Sequence, residues 1–522
     1  MRWLASACLL ASSLSAGSPG WQAALDAAGY HAASVTILEG EAGARDTGRR
    51  ITVRSVVDTH DPSLEIIWEQ PRSVPVFELP AQARVFARDR QSGAPLVACW
   101  MEGARAVLWA ALPPGDRGFE RFPFLPHGLR ELGLLPALEA RNLWVFFDSS
   151  YRLRADLDYL AKRWRAGGVA AIHVAAWHYW EADPQRDAWL SRLIETCHRH
   201  AILVYAWVEF PHVSEQFWRD HPEWREKTAS GQDAHLDWRQ LMDLTSPDCD
   251  RAVRAGLRSL MARFDWDGLN LGELYFESLE GASNPARFTP FAPHARAELA
   301  RETGFDPVSA LTNPKRLPAL LEARAALAAR LQGRWLNALR EERALKPHLD
   351  LVLTHIDDRF DPSMRDKLGA DTTRLLPLAA QAGATFLVED PATVWHLGPE
   401  RYAEIARRYS RDSPTSHRLA IDLNIVERYQ DVYPTKQQTG VELLQLVRTA
   451  SRSFPRVALY FENSISRADW PFLAASSAHG DVQRTGATLR VSLPQPGFAR
   501  FPGCASIDGR EWPVRDGERV LL

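Results

Sequence analysis

From Arg141 onward, short apolar runs alternate with longer stretches in which apolar positions recur every three or four residues. The runs are Leu143–Phe147, Ala170–Ala176, Ile202–Val208, Gly268–Leu271, Leu351–Ile356, Thr385–Val388, Arg418–Leu423 and Val457–Phe461. Their length and their Gly and Pro boundaries predict buried strands. Between them, Leu153, Leu157, Leu160 and Trp164 share one helical face, as do Leu190, Leu193, Ile194 and Cys197. Val253, Leu257, Leu260, Met261 and Phe264 form another such face, and Leu320, Ala323, Leu327 and Leu331 a fourth. Eight strand–helix units predict an α/β protein with a (β/α)8 barrel over residues 141–475. An open, doubly wound sheet is the alternative, but no Gly-rich phosphate loop accompanies the pattern.

Before the barrel, residues 21–140 read as an accessory module. Strand character appears at Ala33–Leu38, Arg50–Val57, Leu64–Trp68, Val74–Leu79, Leu96–Trp100 and Ala106–Ala111. After it, residues 476–522 read as a small β appendage, with strand-like runs at Thr488–Leu493 and Arg519–Leu522. Two barrel connections are longer than the fold requires: Phe210 to Asp265 after the third strand, and Leu274 to Asp350 after the fourth. Long loops on the working face of a barrel serve as walls or lids.

Composition narrows the class. With 46% hydrophobic residues the chain can bury a large core, and a net charge of −3 without a basic block argues against nucleic acid and anionic membrane as partners. Residues 1–17 have a cationic start, an apolar run and small residues, the pattern of a secretory signal; export to the periplasm or medium is expected. No later apolar run is long enough to cross a bilayer. Cys99, Cys197, Cys249 and Cys504 are too dispersed for a metal motif or a disulfide framework, so buried thiols are expected. The 19 tryptophans supply core volume or flat faces for sugar rings, depending on where they sit.

Barrels carry their chemistry at the C-terminal strand ends. Those ends present Asp148; Trp177 and His178; Trp207 and Glu209; Asn270 and Glu273; His355, Asp357 and Asp358; Glu389 and Asp390; Asp422 and Asn424; and Glu462 with Asn463. Nearly every strand ends in an acid. Alternation sets Asp422 and Asn424 opposite to Leu419, Ile421 and Leu423, and sets Tyr460 and Glu462 opposite to Val457, Leu459 and Phe461. The polar set is therefore expected to point into the mouth. Paired carboxyl groups are what glycoside hydrolysis needs, one to protonate the leaving oxygen and one to attack or to activate water. Crowding of acids keeps one of them protonated.

The stretch Phe264-Asp-Trp-Asp-Gly-Leu-Asn-Leu-Gly-Glu-Leu-Tyr275 resembles the fourth strand of glycosyl-hydrolase-like barrels, especially the family-ten-like group. Ala206-Trp207, after a helix ending Cys197-His-Arg-His200, is similar to that group's third strand. Arg287-Phe-Thr-Pro290 and Gly304-Phe-Asp-Pro307 add to the likeness, which spans Leu143 to Pro307. It implies a carbohydrate-active barrel with Glu273 as acid/base. Where retaining enzymes of the large related clan place Asn before the acid and Glu after strand seven, this chain has Gly272 and Asp422. In the first module, Ser92-Gly-Ala-Pro-Leu-Val-Ala98 and Ala106-Val-Leu-Trp-Ala-Ala-Leu-Pro-Pro-Gly115 resemble the closing part of glutamine-amidotransferase-like modules, without that family's Cys-His context.

The expectation is thus an exported glycoside hydrolase that needs no cofactor. Glu273 is the acid/base, and Glu462, with Asp422 in reserve, is the nucleophile or base. Asp148, Trp177, His178, Trp207, Glu209, Asn270, His355, Asp357 and Asn424 line the substrate site. Each has a plainer alternative. Glu273 as a surface carboxylate or the partner of an arginine, Asp148 as a rim residue, and the histidines as hydrogen-bonded structural groups all fit the sequence. Two other functions stay open: a non-catalytic carbohydrate-binding barrel serving exopolysaccharide export or modification, and a metal-dependent hydrolase centred on His355, Asp357 and Asp358.

Overall fold

The computed structural model describes residues 19–30, 35–59, 65–103, 105–115, 121–122, 125–276, 280–395, 397–411, 418–425, 438–485, 488–495, 497–500, 515–516 and 519–521. The signal-like residues 1–17 and Cys504 lie outside them. Two compact units emerge: one built mainly from the chain up to Ala137, the other mainly from Leu138–Gln438 and Leu446–Ala499.

The first unit is a six-stranded sheet. In spatial order its strands are Val35–Glu39, Arg105–Ala110, Pro95–Glu102, Arg84–Asp89, Arg45–Asp58 and Glu65–Glu78. Val35–Glu39 runs parallel to its neighbour, and the other pairs are antiparallel. The two strands expected at Leu64–Trp68 and Val74–Leu79 are one long strand carrying Pro71 and Pro75. It lies at the sheet edge, where a residue without an N–H is tolerated.

The second unit is a closed barrel of eight parallel strands: Leu143–Phe147, Val169–Ala175, Leu203–Val208, Gly268–Leu271, Asp350–Ile356, Thr385–Glu389, Leu419–Asn424 and Arg456–Tyr460. They are called strands 1 to 8 below. Side chains short enough to cap fix several helix starts: Asp156 accepts from the amides of Asp158 and Tyr159, and Asp183 from those of Gln185 and Arg186 ahead of Pro184–Arg199.

The barrel interior pairs large residues with small ones. Trp144, Phe146, Tyr205 and Trp207 from strands 1 and 3 fill the lumen against Ala171, Ala175, Ala420 and Ala458. Gly268 belongs to the same fit, since a Cβ there would sit 2.2 Å from the Tyr205 ring. His173 stacks on Tyr205 at 4.7 Å, and its Nδ1 lies 3.0 Å from the Asn270 amide, which also accepts from Thr354 at 2.8 Å. Burial and the charge of Arg456 push the His173 imidazole down to about 3, so it is neutral. The lumen is a packed core, and chemistry is left to the strand ends.

The tail returns to the N-terminal end of barrel strand 1. Gly497–Arg500 pairs antiparallel with Leu138–Ala140, immediately before strand 1, in a four-stranded sheet with Arg515–Asp516 and Arg519–Leu521. Asp481–Thr485 and Thr488–Ser492 form a separate hairpin. Cys99, Cys197 and Cys249 are buried free thiols. Among the described residues no helix is long and apolar enough to cross a membrane.

Candidate active site

Strands 6 and 7 meet with Glu389 directly in register with Asp422. Thr385, Leu387 and Glu389 share one parity, and Leu387 and Ala420 face the lumen, so the two acids project together into the mouth. Asp422 is only 2% exposed. Glu389 Oε2 and Asp422 Oδ1 have no hydrogen-bond partner among the described residues. Burial, then the charges of Glu273, Asp422, Glu209 and Asp390, hold Glu389 well above the usual carboxylate range. Burial and the charges of Asp390 and Glu273 do the same to Asp422. This corner of the mouth therefore favours the protonated form of its carboxyl groups.

Glu273, whose charge acts on both of those acids, has a different environment. It follows strand 4 with φ of 45°, a left-handed conformation rarely taken by residues bearing a side chain. Arg239 donates from Nη1 to Glu273 Oε2 at 3.0 Å, and its Nε lies 3.9 Å from Glu209 Oε1. The guanidinium is nearly buried and fixed from behind, donating to the carbonyls of Glu209 and Phe210 at 3.4 and 3.3 Å. Arg239 comes from the long connection after strand 3, in the short hairpin of His235–Leu236 and Arg239–Gln240. Gly272 leaves room beside Glu273 for the Trp207 indole, whose Nε1 would be 2.8 Å from an added Cβ.

Aromatic rings line the side formed by strands 2 and 3. Trp207 packs edge-on to Phe146 and to Trp177, with centroids 4.8 and 4.6 Å apart. Trp177, in the turn after strand 2, leans on Trp238 at 5.4 Å. Next to it, His178 Nε2 lies 3.0 Å from Asp148 Oδ1. Burial acts to raise the Asp148 carboxyl, but bonds from His178 and Ser150 outweigh it and leave Asp148 below its ordinary range. Asp148 thus caps the turn Ser149–Tyr151 at the rim.

Other expected site residues go elsewhere. Glu462 is not among the acids of the mouth: strand 8 ends at Tyr460, and Glu462 opens a 3-10 turn. Its carboxylate is buried against Arg163, with Arg152 at 3.2 Å and Trp164 Nε1 at 3.2 Å, a structural clamp onto the first barrel helix. His355 shares the parity of Leu351 and Leu353 and faces the helix layer, against Tyr275 and Phe386. Burial lowers its basicity against the opposing pull of Asp358 and Asp371. Asp357 is consumed by the amides of Arg359 and Phe360 and by Tyr409 Oη, with burial raising it to about 6. Asp358 binds Thr372. Asn270 lies within the lumen, below the mouth, bonded to His173 and Thr354. Among the described residues no group of three or more His, Cys, Asp or Glu side chains is arranged to hold a metal ion. Asn424 stays near the acids, its amide donating to Asp390, which Arg401 and Tyr402 hold from behind.

Two members of the site had no role assigned from the sequence: Glu389, read only as a strand-end acid, and Arg239. Glu389 was legible from the parity of strand 6. Arg239 carried no local signal, because only the folding of a long connection brings it to Glu273.

No protein-family model matches the chain, and no curated protein matches it. Solved structures do. A β-galactosidase from the psychrophilic Marinomonas ef1 aligns at 13% identity over 61% of this chain and 54% of that one, with a TM-score of 0.45. The glycoside hydrolase domain of PgaB (BpsB) from Bordetella bronchiseptica aligns at 13% identity over 62% and 94%, TM-score 0.46. A β-galactosidase from the haloarchaeon Halorubrum lacusprofundi aligns at 10% identity over 64% and 57%, TM-score 0.48. The chain thus spans about half the length of the two galactosidases. The (β/α)8 assignment rests on the strand pairing of this chain.

Proposed function

We propose that the protein is an exported glycoside hydrolase that cleaves a polysaccharide or oligosaccharide with carboxyl groups at the barrel mouth. The observation that carries this reading is the division of charge among those groups. Glu389 and Asp422 stand in register at the mouth with carboxyl groups raised by burial and like charge, and Glu273 is paired with Arg239. Such a division gives hydrolysis both of its parts. The proton on the strand 6–7 pair goes to the glycosidic oxygen as the anomeric C–O bond breaks. Glu273 then attacks the anomeric carbon or takes a proton from the water that does. Relative to the expectation from sequence, Glu389 with Asp422 takes the acid role expected of Glu273, and Glu273 takes the nucleophile-or-base role expected of Glu462. Trp177, Trp207, His178, Asp148, Glu209 and Asn424 line the same mouth. The cationic and apolar start of the chain supports export.

Leaving-group dependence tests the roles. Glu389→Gln is expected to lose at least about a hundredfold on a natural glycoside and far less on a dinitrophenyl glycoside, whose leaving group needs no proton. Glu273→Gln is expected to lose both. Equal losses of Glu389→Gln on the two substrates would remove Glu389 from the acid role.

A further inference from the structure

The hairpin that delivers Arg239 to Glu273 carries, one residue earlier, Trp238, a large aromatic side chain left 43% exposed. Its position is built. Asp237 takes a left-handed φ of 57° and is gripped by Arg287 through two hydrogen bonds, at 3.1 and 2.5 Å. The Trp238 ring lies against Trp177 at 5.4 Å with 30° between the planes, and His212 braces it edge-on at 5.1 Å. Burial and the nearby Arg239 push His212 down to about 3, so an uncharged imidazole backs the indole. Trp207, Trp177 and Trp238 thus form a continuous aromatic run from beside Gly272, next to Glu273, out to solvent.

We propose that Trp238 is the platform of an outer sugar-binding subsite, stacking the apolar face of a pyranose ring one or more units from the scissile bond. The occupant is a pyranosyl unit because the surface is flat, apolar and continuous with the acid-lined mouth. A ring needs such a face on one side and hydroxyl partners at its edge. The subsite makes the preferred substrate a chain, with affinity gained beyond the reacting unit. This inference rests on the glycoside hydrolase reading.

Calorimetric titration with cello-, xylo- and chitooligosaccharides from the disaccharide to the hexasaccharide tests it. The Glu273→Gln protein serves as background, so that no probe is consumed. Affinity is expected to rise roughly three- to tenfold at one length step as a ring reaches Trp238. That step should vanish in Glu273→Gln/Trp238→Ala and persist in Glu273→Gln/Trp238→Tyr, with circular dichroism confirming that each is folded. Equal affinities of the Trp238→Ala and Trp238-bearing proteins along the ladder would overturn the subsite, as would an absence of binding by every probe. A lost step in a protein whose wild type hydrolyses none of these sugars would uphold the subsite and overturn the hydrolase reading instead.

Discussion

The carboxyl groups of this barrel differ by what lies within a few ångströms of each. Glu389 and Asp422 are raised by burial first and by like charges second, so the folded protein takes up protons there more readily than the unfolded chain. For a raised carboxyl the stabilising contribution is complete below the unfolded value and is lost as pH climbs through the folded one. Thermal melting of wild type and Glu389→Gln should therefore diverge from about the ordinary carboxylate range upward, with the variant increasingly favoured as pH rises. Parallel melting curves across that range would contradict the assignment. Glu462 has cations rather than like charges beside it, being buried against Arg163 and Arg152. Glu462→Gln leaves those cations without their counter-charge and is expected to cost about 3–5 kcal/mol, read as a lower Tm. Activity per folded molecule should be kept. A catalytic loss without a stability loss would return Glu462 to the mechanism.

Strands were legible because each is an apolar run bounded by polar or turn residues, and the eight runs match the eight strands to within about a residue. Parity was informative inside them as well. It sets Asp422 and Asn424 on the parity of lumen-facing Ala420, and applied to Leu351 and Leu353 it turns His355 toward the helices. It failed at Glu462 because alternation holds only while the strand lasts, and strand 8 ends at Tyr460. Arg239 and the Trp238 ledge were illegible for another reason. They come from a connection whose path is set by distant contacts such as Arg287 to Asp237, which no local pattern encodes. Strand packing also makes a prediction of its own. Gly268→Ala forces a Cβ into the Tyr205 ring within the closed lumen, and overpacking of this kind costs about 1–3 kcal/mol. The Tm of Gly268→Ala should fall accordingly; an unchanged Tm would mean that the lumen is looser than the geometry requires.

At the scale of the whole molecule, the packed lumen leaves chemistry to one end of the barrel, where the long connection after strand 3 brings Arg239 and Trp238 to Glu273 at the end of strand 4. Catalysis at that end depends on the division of roles among its acids. Its most direct test is reducing-end release from a panel of bacterial and plant polysaccharides by wild type, Glu273→Gln, Glu389→Gln and Glu462→Gln, with chelator present throughout. Release is expected from wild type, retained by folded Glu462→Gln and lost by at least about a hundredfold in the Glu273 and Glu389 variants. Release that survives in Glu273→Gln and Glu389→Gln, or tight polysaccharide binding by all four proteins without any release, would contradict it.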